Sequence, residues 1–231
     1  MSAMIDRTES LGEVVRRMPA AADVFERLGF DYCCGGDRSL DEAAAERGLD
    51  GATVAAMLDA VATAGEPAHR APTGSPAELA RHIVEAHHRP LREGLPRLGE
   101  LVATVARVHG PEDPRMVEVE RVFSALAADL LPHLDREERE VFPLAEAISS
   151  GGPAPRVDGA VIDLLESDHD DAGAHLARLR ELCGGYPLDE AYCGTHRAMM
   201  HGLQELEVDM HRHVHEENNV LFPQLREYVG A

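Results

Sequence analysis

The sequence has no tryptophan and no lysine. Aromatic residues make up 4% of its 231 residues, so a core must rest on Leu, Val, Ala and Met. The hydrophobic share, 44%, is enough for one. Abundant Ala, Leu, Glu and Arg, with few β-branched or aromatic runs, predict an all-α protein. No stretch reaches the roughly 18 apolar residues of a membrane span. The N-terminus, Met-Ser-Ala-Met-Ile-Asp-Arg, lacks the basic and apolar regions of a signal peptide. The four cysteines, Cys33, Cys34, Cys183 and Cys193, do not make a secreted disulfide framework, which predicts a reducing cytoplasm. A formal net charge of −20 argues against nucleic acid or an anionic membrane as partner. It suits attraction of cations, and equally plain solubility.

What is present is a repeat. Asp129, His133, Glu137, Phe142 and Pro143 recur 80 residues later as Asp209, His213, Glu217, Phe222 and Pro223. Upstream, Glu85, His88, Leu95, Arg97, Leu98 and Leu101 recur 81 residues later as Glu166, His169, Leu176, Arg178, Leu179 and Leu182. Two copies in register indicate an internal duplication. The register selects His88 rather than His87, whose counterpart is Asp168. Each unit is one helix with a single key histidine followed by one helix with His-x-x-x-Glu.

Residues 1–65 read as a small helical module. Ser10-Leu-Gly-Glu13 and Ser39-Leu-Asp-Glu42 are capping boxes, Pro19 interrupts the first helical stretch, Gly29 stops the second, and Asp50 caps a helix over Ala52–Ala62. Its distinctive loop is Phe30-Asp-Tyr-Cys33-Cys34-Gly35-Gly36. A bond between adjacent cysteines would be strained. Two thiols near a helix start can have lowered pKa values and bind a soft metal, exchange with a partner disulfide or meet an oxidant. They can equally be small buried residues that shape a turn. Residues 66–74 form a Pro- and Gly-containing linker.

Residues 75–231 read as four long helices. The first runs from the Ser75-Pro76-Ala-Glu78 capping box to about Val108. The second runs from Asp113-Pro114 to about Ile148, with Pro132 bending it or loosening a hydrogen bond. The third spans about Val157 to Leu182, and the fourth begins near Pro187 and ends about Val220. Short loops predict an up-down-up-down bundle.

A helix puts residues four apart on one face. Asp129, His133 and Glu137 therefore share a stripe with Leu126 and Leu130, and Asp209, His213 and Glu217 share one with Leu206 and Met210. Converging four imidazoles and two carboxylates in a core is costly without a cation. Imidazole and carboxylate without thiolate suit iron, manganese or zinc. Six side chains are too many for one zinc and too few to saturate two octahedral ions. Two metals, bridged by Glu137 and Glu217 and keeping open positions, fit the count. Glu138 and Glu216 should point about 100° away. Glu85 and Glu166 can serve as outer partners or alternative ligands, Asp129 and Asp209 can orient the imidazoles, and His109 is left open. His69, His82, His87, His175, His196, His201, His211 and His215 read as solvated or structural.

Residues 79–231, with His88, His133-x-x-x-Glu137, His169 and His213-x-x-x-Glu217, resemble a hemerythrin-type bundle. Residues 8–65, with Asp31-Tyr-Cys-Cys-Gly-Gly, resemble the N-terminal module of the iron–sulfur cluster repair family, the repair-of-iron-centres di-iron proteins. Ser167-Asp-His169-Asp-Asp-Ala-Gly and Glu217-Asn-Asn-Val-Leu-Phe-Pro resemble it too. The resemblance implies a cytoplasmic non-haem protein with two carboxylate-bridged iron ions. It implies a part in restoring iron–sulfur clusters after nitrosative or oxidative stress, with damaged iron–sulfur proteins as partners. Oxygen-carrying hemerythrins have a fifth histidine; this set has four, which favours labile iron over oxygen storage. Three functions follow: iron donation with Cys33 and Cys34 engaging the client, reduction of nitric oxide at the metals, or dioxygen sensing. The Cys-Cys loop favours the first over the third. A homodimer stays open.

Overall fold

The computed structural model describes residues 5–62, 74–153 and 155–229. The 66–74 linker and His69 lie almost wholly outside them. Among the described residues there are helices and no strand, only an isolated bridge between Ser10 and Ser39.

The N-terminal module holds α1 (Leu11–Arg17), α2 (Ala21–Leu28), α3 (Leu40–Glu46) and α4 (Gly51–Ala62). Ser39 and Glu42 make a reciprocal capping box. At Ser10 the box is half formed: Ser10 caps the Glu13 N–H, but the Glu13 carboxylate turns to Arg16. Gly29 ends α2 at φ 68°, in the left-handed region glycine tolerates. Leu11, Val14, Phe25, Tyr32, Leu40 and Leu58 fill this module's own core.

Four legs make the bundle. The first joins α5 (Pro76–Ile83) to α6 (Arg89–His109), the second α7 (Arg115–Arg136) to α8 (Phe142–Ser150), the third is α9 (Gly159–Leu182), and the fourth joins α10 (Gly194–Glu216) to α11 (Phe222–Arg226). Each leg packs on the next and the fourth closes on the first, the expected up-down-up-down arrangement. The fourth leg starts later than the sequence suggests. Gly184, Gly185 and Tyr186 all take positive φ, and Asp189 accepts the Ala191 N–H in a tight turn, so Pro187–Asp189 cannot open a helix. α7 runs through Pro132 without a break.

Three legs widen into a π turn, at Val84–His88, Glu137–Val141 and Glu217–Leu221. In each, a proline follows two residues after the turn: Pro90, Pro143 and Pro223. Proline has no N–H, and its ring would strike the carbonyl four residues back. The residue before each proline instead donates five residues back: Arg89 to Val84, Phe142 to Glu137, and Phe222 to Glu217. Two apolar clusters fill the bundle, one around Leu126, Leu176 and Met200 and the other around Ile83, Ile162 and Phe222.

Candidate dinuclear metal centre

The six residues paired by the repeat meet in the bundle. His88 ends the first π turn, and Glu137 and Glu217 open the other two. His133 and His213 lie one helical turn before the glutamates, and His169 comes from the middle of α9. All six are buried, the glutamates and His88 and His213 fully so. His88 and His213 bring their Nε2 atoms to 3.1 Å, and His133 and His169 bring theirs to 2.9 Å.

The carboxylates lie between these imidazole pairs. Glu137 turns Oε2 to His88 (3.4 Å) and Oε1 to His133 (3.1 Å) and His169 (3.7 Å). Glu217 turns Oε1 to His213 (3.1 Å) and His88 (3.8 Å), and Oε2 to His169 (3.2 Å). Each glutamate thus offers one oxygen to each pair. Donors about 2.1 Å from a cation stand roughly 3.0–3.4 Å apart, close to most of these separations. All four glutamate oxygens are buried without a hydrogen-bond partner. Such a group costs several kcal/mol unless a cation faces it. The donors therefore fit two cations, each with two nitrogens and two oxygens.

Electrostatics agree. Burial opposes the charge on Glu217, but His213, His169 and His88 outweigh it and hold the carboxyl well below the usual range. Working against burial, Glu137 and Glu217 raise His169 well above its ordinary value. A place that draws protons onto imidazoles is one of negative potential, which also draws metal cations.

The outer nitrogens are held too. His88 Nδ1 donates to Glu138 (2.8 Å), which Arg92 also contacts (2.8 Å). His133 Nδ1 donates to Asp168 (3.2 Å), which Arg136 contacts. His169 Nδ1 donates to Asn218 (2.8 Å). Protons on Nδ1 leave the Nε2 lone pairs facing inward. His213 Nδ1 has no partner; its ring stacks on His87 at 5.2 Å and 10°. Phe142 stacks on His88 and Phe222 on His169, so the repeat extends to the walls. A cavity of about 290 Å³, lined by Asp129, Arg136, Asp168 and His175 among others, reaches His133 and His169.

Several outer assignments change. Glu138, expected to point away, is the acceptor for His88: its side chain reaches the neighbouring leg. Asp129 lines the cavity, and Asp209 orients His87 (2.8 Å) rather than a converging imidazole. Glu85 pairs with Arg89 and Glu166 with Arg226, so neither joins the donors. His109 packs against His196 and Cys193 at the end of α6. The acceptors Asp168 and Asn218 left no sequence signal beyond adjacency to His169 and Glu217.

The thiols also differ from expectation. Cys33 is buried in the bundle's core cluster, and Cys34 is half-buried against it. Their sulfurs are 4.0 Å apart and unbonded, and the Cys33 thiol faces Asp31 at 3.4 Å. The Cys34 sulfur and burial hold the Cys33 thiol well above its ordinary range, opposite to a lowered pKa. Asp31, Cys33 and Cys34 still form a three-donor group. Asn219 donates to the Cys33 carbonyl at 2.9 Å, next to Asn218, which holds His169.

Helix, site and walls define a helical-bundle protein of cation-binding type. The Hemerythrin HHE cation binding domain family matches residues 79–225. A domain of unknown function (DUF542) matches residues 7–62. The iron-sulfur cluster repair protein ScdA of Staphylococcus haemolyticus is 31% identical over 95% of this chain and 98% of its own. The iron-sulfur cluster repair proteins YtfE of Pectobacterium atrosepticum and Escherichia coli (strain IAI1) are each 32% identical over 95% of this chain and 97% of their own. The chain belongs to this iron–sulfur cluster repair family of hemerythrin-domain proteins. Among the described residues no helix is long and apolar enough to cross a membrane.

Proposed function

We propose that this protein repairs iron–sulfur clusters damaged by nitrosative or oxidative stress, by supplying iron in the cytoplasm. His88, His133, His169 and His213 would hold two non-haem irons, with Glu137 and Glu217 bridging them. The observation that carries this reading is the split of each carboxylate, one oxygen to each imidazole pair. Four protein donors per ion leave an octahedral shell incomplete, which favours exchange over permanent retention. Iron bound there supplies Lewis acidity and one-electron chemistry; the chain's own residues hold, orient and shield it. The cavity beside His133 and His169 admits a small ligand such as nitric oxide or dioxygen. Cys34, half-buried beside Asp31, is the thiol that a damaged iron–sulfur protein meets, and Cys33 supports it from below.

The test is anaerobic. Reduced, iron-loaded protein is mixed with a protein whose cluster has been damaged, and separately with nitric oxide. Recovery of cluster absorbance with matching loss of iron from the centre supports donation. Nitrous oxide formation without cluster recovery overturns it in favour of nitric oxide reduction.

A further inference from the structure

On the outer side of His213, a second set of donors converges that the dinuclear centre does not use. His82 comes from α5, His87 from the first π turn and Glu216 from the end of α10. His82 and His87 are five residues apart, and the π turn, with its five-residue hydrogen bonds, brings such residues towards one face. Their Nε2 atoms stand 3.5 and 3.6 Å from the same oxygen, Glu216 Oε2. All three atoms lie within 4.8 Å of one another. The distances to the oxygen are too long for good hydrogen bonds. They approach the edge, roughly 3.4 Å, of a tetrahedron of donors about 2.1 Å from a cation.

Burial supplies an independent sign. His87 is 6% exposed and Glu216 8%. His87 Nε2 and Glu216 Oε2 are both buried with no hydrogen-bond partner. The far nitrogen of His87 donates to Asp209 at 2.8 Å, the carboxylate–imidazole arrangement that leaves Nε2 free to bind a metal. The His82 ring meets His87 edge-on at 6.0 Å, so the two imidazoles approach from different directions. The remaining side opens into a cavity of about 760 Å³, also lined by His201, Glu205 and Asp209.

We propose that His82, His87 and Glu216 form a third, mononuclear metal site for one divalent first-row cation, Zn²⁺ or Fe²⁺, completed by water from the cavity. Two neutral imidazoles and a carboxylate with open positions form a donor set common to both ions. Glu216 and the outer Asp209 together balance a 2+ charge. The site shares no donor with the dinuclear centre and touches it through the stacked rings of His87 and His213.

The experiment counts ions. Metal-free wild type and His82→Ala are titrated anaerobically with Co²⁺, an optical stand-in, and with Zn²⁺. Bound ions per chain are measured after desalting. The wild type should hold one ion more than His82→Ala, with the matching Co²⁺ absorption lost in the variant. Because a difference is read, the result is independent of how many ions the dinuclear centre takes. Glu216→Gln, nearly isosteric, is the second variant should His82→Ala not fold; it should weaken the extra ion at least tenfold. Equal counts and equal Co²⁺ spectra in wild type and variant overturn the proposal and leave His87 as an ion-pair partner of Asp209 and Glu216.

Discussion

Three of the four converging histidines donate their Nδ1 protons to Glu138, Asp168 and Asn218, and the fourth rests on an aromatic face. An imidazole held at its outer nitrogen presents a fixed lone pair inward, so these acceptors set metal affinity without touching metal. Glu138→Ala should therefore lower affinity about 10–100-fold. Glu137→Ala should do more, because it removes an oxygen from each imidazole pair and one of two buried charges facing the cations. Iron per chain and Mössbauer spectra of both variants check the order. If Glu138→Ala keeps full iron content under competition from a chelator, the outer hydrogen bond does not tune the site. Helical phase alone ranks Glu138 with the bystanders; the reach of its side chain across to the first leg changes that.

At the scale of elements, the histidine-rich run 211–215 finds its explanation. His211 and His215, one turn apart, face the N-terminal module, where both rings pack on Tyr32. His213, on the other side of α10, faces the centre. The module is seated by the π turn after α10. Asn219 donates to the Cys33 carbonyl, and the Gly12 N–H donates to the Gly36 carbonyl beside it. A Cβ at Gly36 would come within 2.6 Å of the Tyr32 carbonyl and 2.5 Å of the Asn219 side chain. Gly36→Ala should cost about 1–3 kcal/mol through overpacking. Asn219→Ala should cost about 1–3 kcal/mol by leaving the Cys33 carbonyl unpaired. Both should speed alkylation of Cys34. Thermal unfolding and timed labelling with iodoacetamide are the measurements, and unchanged labelling in both variants would mean that this seat does not govern access to the thiol.

Across the whole molecule, the centre lies between the two apolar clusters of the bundle, where four unpartnered glutamate oxygens oppose folding in the absence of a cation. Metal removal should lower stability. Fe²⁺ at about 100 times its dissociation constant should restore about 2.7 kcal/mol per site, roughly 5–10 °C in melting temperature for a chain of this size. Anaerobic differential scanning calorimetry with and without a chelator reads the shift, and identical melting curves would argue against the ligand set. The stabilisation should fade as pH drops through the histidine range, because protons compete with metal for the imidazoles.

What the sequence by itself determined was whatever repeats or has a local period. The four legs followed from caps, prolines and apolar stripes, and the 80- and 81-residue offsets singled out His88, His133, Glu137, His169, His213 and Glu217 from 13 histidines and many carboxylates. Tertiary structure decided what depends on distances between legs. It decided that prolines 90, 143 and 223 widen the helices where donors gather, that Glu138 belongs to His88, that Cys33 is buried rather than presented, and that His82, His87 and Glu216 meet. A helical period gives the angle at which a side chain leaves its own axis; which atoms of another helix lie within hydrogen-bonding or coordinating reach depends on the separation of the axes, and that is set by how the whole core packs.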